Sequence, residues 1–76
     1  MFIDSNPITA VRYTDEYHLG IKFLVTLGNS SIWIVLDYQD DDFVPKPGIE
    51  LSESFKDRAR KLADQFEEEY YIYRNY

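Results

Sequence analysis

Residues 19–27, LGIKFLVTL, place Leu19, Ile21, Phe23, Val25 and Leu27 on one side and Gly20, Lys22, Leu24 and Thr26 on the other. A period of two over a β-branched and aromatic stretch predicts a strand. Residues 30–38, SSIWIVLDY, repeat the alternation with Ile32, Ile34, Leu36 and Tyr38 on one face. Gly28-Asn29 between them is a tight-hairpin signal. A two-residue loop there pairs Val25 with Ile32, Phe23 with Ile34 and Ile21 with Leu36, so that core residues face core residues. A loop one residue longer would put Val25 against the face of Trp33, which burial disfavours, whereas a loop two residues longer keeps the faces matched.

The weaker pattern ITAVRYT, residues 8–14, follows Pro7 and adds antiparallel beside 19–27, with Val11 and Tyr13 on the core face. Residues 39–50, QDDDFVPKPGIE, break all periodicity. Pro45 and Pro47 lack amide donors and push their neighbours toward extended geometry, so this stretch is expected as a stiff connecting loop. A helix then starts at Ser52 or Ser54, either of which serves as N-cap; Ser54 with Asp57 forms a capping-box variant. From there Leu51, Phe55, Ala59, Leu62, Phe66, Tyr70 and Tyr73 recur at helical spacing as one apolar stripe. The expected architecture is α+β: a three-stranded antiparallel β-meander (about 8–14, 19–27, 30–38) packed on one C-terminal α-helix (about 52–71). This βββα arrangement makes two layers in a single domain over residues 1–76. If the helix returns antiparallel to strand 30–38, residues Glu67–Glu69 fall near the Gly28-Asn29 end. They would then lie roughly 25–30 Å from Asp40–Asp42 at 1.5 Å per helical residue.

Composition narrows the functional classes. At 76 residues without cysteine, the chain has neither a disulfide framework nor a thiolate metal site to reinforce a modest core. No stretch has the apolar length of a membrane helix or the order of a signal peptide, so a cytoplasmic protein is expected, host-cytoplasmic if phage-encoded. Fourteen acids against eight bases give −6, and residues 1–50 carry −5 of it. Phosphate backbones repel such a chain, so direct nucleic-acid binding is not expected, and a basic protein surface is the natural partner.

Catalytic chemistry finds little support. His18, the single histidine, sits in a predicted turn beside Tyr17 with no companion acid or nucleophile nearby in sequence, and reads as a solvated residue. Asp37, Asp40, Asp41 and Asp42 have the oxygen chemistry of a Mg²⁺ or Ca²⁺ site but lack the spacing and the glycine of a calcium loop. They read as a solvated loop tip. A non-enzyme without cofactor or metal is expected.

Three surfaces are not accounted for by folding. The outer sheet face carries Leu24, Trp33 and Val35, which suits an oligomer contact. The helix begins with KDRARK and ends its charged run with DQFEEE, against the preference of its dipole. Asp57–Lys61 and Arg60–Asp64 at i,i+4 offset part of this. Two acid clusters, Asp40–Asp42 and Glu67–Glu69, together with Tyr70, Tyr71, Tyr73 and Tyr76, form a candidate partner-binding set, because interface hot spots favour tyrosine. In composition the chain resembles the small acidic anti-defence proteins of phages, a likeness carried by no motif. The favoured expectation is an inhibitor that blocks the basic, nucleic-acid-binding surface of a larger protein such as a CRISPR or restriction effector. A homo-oligomeric accessory domain, possible as a homodimer through the outer sheet face, and an antitoxin or immunity protein are the alternatives.

Overall fold

The computed structural model describes residues 1–14 and 20–74, the last five of these by backbone only. His18, Tyr17, Leu19 and Tyr76 lie outside the described residues, as do the side chains of Tyr70, Tyr71 and Tyr73. The elements are β1 (Phe2–Ile3), β2 (Ile8–Tyr13), β3 (Gly20–Leu27), β4 (Ser30–Asp37), β5 (Asp42–Val44), β6 (Glu50–Leu51) and α1 (Glu53–Arg74). Strands β2-β3-β4-β5 form one antiparallel sheet in that order, and α1 packs on one of its faces.

The central hairpin has the two-residue loop. Val25 pairs with Ile32, Phe23 with Ile34 and Ile21 with Leu36. Gly28 has φ 64° and Asn29 is not left-handed, the sign pattern of a II′ turn with glycine first. Strand β2 adds as expected, with Val11 opposite Phe23 and Tyr13 opposite Ile21. Ile8 and Val11 differ in parity, and a bulge between Ile8 and Ala10 lets both turn toward the core. At the start of β3 no side chain fits: a Cβ on Gly20 would come 2.4 Å from the Leu36 carbonyl oxygen.

Residues 39–50 are not simply a loop. Asp42–Val44 pair antiparallel with β4, Leu36 lying opposite Phe43, and Phe43 is buried. An alternation too short to stand out in sequence therefore makes a fourth strand. After it, Lys46–Ile49 close a turn through Ile49 N–H to the Lys46 carbonyl, with Gly48 at φ 84° behind Pro47, as a type II turn requires. Strand β6 then pairs in parallel with β1, Phe2 facing Glu50 and Ile3 facing Leu51. Ile3 is fully buried, so the N-terminal arm, which the periodicity does not reveal, belongs to the core.

The N-cap is Ser52, whose Oγ accepts the Phe55 amide at 3.0 Å; Ser54 lies inside the first turn. Phe55, Ala59 and Ala63 are buried, with Leu51, Leu62 and Phe66 partly so. Phe43 bridges the layers, with ring centroids 6.3 Å from Phe23 and 6.4 Å from Phe55.

Strand β5 reverses the direction expected for the helix. It carries the chain back to the Gly28-Asn29 end, where the arm and the helix start meet. Ser52 N–H donates to the Ile3 carbonyl, Arg58 to the Asp4 and Asn6 carbonyls, and Asn6 to the Thr26 carbonyl. Helix α1 then runs in the same sense as β4, not against it.

The core contribution of the arm is testable by Ile3→Ala. Deleting a fully buried isoleucine side chain costs about 2–5 kcal/mol, a large part of the stability of so small a domain. A urea midpoint almost unchanged from the parent chain would show that β1 is not part of the core.

Candidate partner-binding surface

With the helix running back toward the exit of β4, the two acid clusters meet at one end of the domain. Tyr38, directly after β4, donates its hydroxyl to Glu67 at 2.6 Å, and Tyr13, at the end of β2, donates to the other Glu67 oxygen at 2.7 Å. Tyr13 also packs edge-on against Phe66 at 4.9 Å. Both tyrosines sit on the core side of the sheet at its rim, where a phenol buries its ring and its hydroxyl needs a polar partner. Glu67 supplies that partner to both, so this carboxylate is a structural tie between sheet and helix. The sequence signal was present in two core-face positions filled by tyrosine rather than by a hydrocarbon side chain.

The β4–β5 turn is held by the helix as well. Asp41 is left-handed at φ 51°, a conformation aspartate tolerates better than most residues. Arg60 donates to its carboxylate at 3.2 Å and to its carbonyl at 3.1 Å, with the guanidinium 5.3 Å from the Phe43 ring centroid. Asp41, Arg60, Tyr38 and Asp64 line one recess of about 260 Å³ between turn and helix. The ion pairs among the described residues are Lys56–Glu53 and Arg60–Asp41. Arg60 is thus committed to the turn, in place of the expected partner Asp64, and Arg58 to the carbonyls of the N-terminal arm. Both lie beyond the first helical turn, which holds Glu53, so the expected conflict with the helix dipole is slight and these two bases serve as ties.

What remains is a set of carboxylates with no structural task. Asp40 is exposed in the turn, and Asp64, Glu68 and Glu69 are exposed on the last described turns of the helix. Asp42 is exposed on β5 and accepts only the adjacent Phe43 amide through its carboxylate. The expected separation of about 25–30 Å at opposite ends is replaced by juxtaposition, because β5 exists. No three metal-ligating side chains converge among the described residues.

No family model, no curated protein and no solved structure matches this chain. Function is therefore argued from the surface itself.

The second predicted patch lies on the outer sheet face. Leu24 and Trp33 are directly opposite each other, Val35 pairs with both Lys22 and Val44, and Ala10 flanks Leu24. Trp33 is 37% exposed and Val44 54%. Lys22 lays its ammonium 4.8 Å from the Trp33 ring centroid. Val44 extends the patch from a segment expected as loop. No helix of the described residues is long and apolar enough to cross a membrane.

The Tyr38 phenol is held well above its ordinary value near 10, first by partial burial, then by its hydrogen bond to Glu67 and the charge of that carboxylate. In the unfolded chain it ionises at the ordinary value, so its contribution is complete below pH 10 and is lost as pH rises toward the folded-state value. The stability difference between the parent chain and Tyr38→Phe is expected to be constant in neutral solution and to shrink above about pH 10. Urea titrations at several alkaline pH values measure it, and a difference that ignores pH would contradict the Tyr38–Glu67 bond.

Proposed function

We propose that this chain is a small non-enzymatic binding protein whose acid-rich end occupies a basic surface, of the kind that normally holds nucleic acid, on a larger protein. The observation that carries the reading is the gathering of Asp40, Asp64, Glu68 and Glu69 at one end with Arg60 already committed to Asp41. Carboxylates kept together without internal partners repel one another, and a cationic partner relieves that repulsion. Such a surface steers encounter and sets specificity through complementary charge. The tie residues Glu67, Tyr13 and Tyr38 hold helix and sheet in register beneath it, so the charges are presented on a rigid frame.

An inhibitor acting this way competes with nucleic acid rather than with a small substrate. Immobilised chain is expected to retain a basic, nucleic-acid-binding protein from a nuclease-treated bacterial lysate at low salt. It should release that protein by roughly 0.5–1 M salt, where the Debye length falls to a few ångströms. The retained protein should lose its nucleic acid when the chain is added. Joint charge reversal of Asp40, Asp64, Glu68 and Glu69 to lysine is expected to abolish retention with circular dichroism unchanged; Glu67 is left alone because its reversal would break two tyrosine bonds. Retention that survives both high salt and charge reversal would overturn the reading.

A further inference from the structure

Among the described residues, the outer sheet face combines a partly exposed apolar centre with charges that no ion pair within the chain satisfies. Arg12 on β2 lies directly opposite Lys22 on β3, and Asp37 on β4 directly opposite Asp42 on β5. All four alternate with core residues and so stand on the outer face. Like charges directly opposite in a sheet are destabilising, yet this face holds one such pair of each sign. Between and below them lie Leu24, Trp33, Val35 and Val44.

An internal remedy exists and is not taken. Lys22 and Asp37 are diagonal neighbours across β3–β4, within side-chain reach of each other. Lys22 instead points along the opposite diagonal to Trp33, and Arg12 curls onto the Val11 carbonyl of its own strand. Beside Asp37 the missing side chain of Gly20 helps leave a recess of about 290 Å³, lined also by Thr14, Val35, Gln39 and Val44. Among the described residues, Asp37 of the acidic pair borders this recess.

We propose that the outer face is the two-fold interface of a homodimer in which the Arg12–Lys22 pair of each copy meets the Asp37–Asp42 pair of the other. A two-fold axis parallel to the strands lays β2–β3 of one copy over β4–β5 of the second and keeps the rows of residues level. The basic pair is then offset by one same-face row, about 6–7 Å along the strands, from the acidic pair of the other copy, across about 10 Å between the sheets. Extended arginine and lysine side chains bridge this span of about 12 Å to a carboxylate. An axis across the strands would instead stack β2 on β2 and β5 on β5, like charge on like. Charge thus selects the symmetry, and the apolar centre, shared by both copies, supplies the burial.

Sheet edges do not compete for this role. Strand β5 has three residues and runs into Pro45; β2 follows Pro7 and carries a bulge at its start. Short strands, bulges and proline protect edges against pairing. The face measures roughly 27 Å along its longest strands by 19 Å across four strands. The edge strands are shorter, six residues in β2 and three in β5, so two copies bury roughly 800 Å². That is below the usual size of a specific interface, and the dimer is expected to be weak and concentration-dependent. The strand-parallel axis also leaves both acid-rich ends on the same side of the dimer. The dimer does not depend on the acidic-end reading, since its readout is mass and not retention of a partner.

Sedimentation equilibrium from about 5 µM to about 1 mM, the range such an area supports, is expected to show the mass rising from 9.1 kDa toward twice that value. Trp33→Glu is expected to hold it at the monomer; if that variant fails to fold, Val44→Lys, at a more exposed position, makes the same test. The deciding arm uses two charge-swapped chains, one with Arg12→Glu and Lys22→Glu, the other with Asp37→Lys and Asp42→Lys. Each alone is expected to stay monomeric, and their equimolar mixture to dimerise. A parent chain monomeric throughout, a dimer that persists in Trp33→Glu, or a mixture that stays monomeric would each overturn the proposal.

Discussion

A chain leaving β4 at Asp37 can lay a helix over the inner face of the sheet in two directions, and three residues choose between them. If the chain turned directly into a helix, that helix would run against β4. Here Asp42–Val44 pair with β4 first, which returns the chain to the hairpin end before any helix begins. Phe43 makes the detour favourable by burying its ring between Phe23 and Phe55, a gain of the order of 2 kcal/mol for a buried aromatic. Everything at the acid-rich end follows: α1 travels with β4, and Glu67 arrives beside Tyr38 rather than beside Gly28.

Charge in this domain divides into ties and surplus. Arg58 caps carbonyls of the N-terminal arm, Arg60 pins the β4–β5 turn, and Glu67 receives two phenols. All three lie beyond the first helical turn and before the last, where the dipole has little effect, and Glu53 in the first turn is placed as the dipole prefers. Hydrogen bonds to charged groups contribute about 1.5–3 kcal/mol, and less where solvent reaches them, as at Arg60 and Asp41. Asp40, Asp64, Glu68 and Glu69 repel one another with no such hydrogen bonds in return, and they are the residues on which the proposed function rests. The outer face has its own surplus in Arg12–Lys22 and Asp37–Asp42.

Strong period-two patterning made β3, β4 and their register legible down to individual pairs, because a one-residue slip would turn Phe23 and Ile34 to solvent. The pairing of β2 was legible for the same reason, while its bulge was visible only as the odd spacing of Ile8 and Val11. Strand β5 was hidden because three residues between aspartates and a proline show no period, and β1 because Ile3 is a single buried residue on an arm held by backbone pairing with Glu50–Leu51. Without β5 the periodicity leaves the helix direction open, and the antiparallel return that would hold the acid clusters apart is not the one adopted. Leu24, Trp33 and Val35 were found by the same alternation that found the core. The like-charge pairs Arg12–Lys22 and Asp37–Asp42 appear only once all four strands are set side by side.

The direction of α1 relative to β4 is the claim on which the acidic end depends. The chain lacks cysteine, so a nitroxide on Glu68→Cys reports from one place. Strand β4 spans about 25 Å, enough for paramagnetic broadening of backbone amides to distinguish its two ends. Broadening is expected at Tyr38–Asp42 and not at Leu27–Ser30. Broadening of Leu27–Ser30 with Tyr38–Asp42 spared would mean that the helix runs the other way and that the acids do not form one surface.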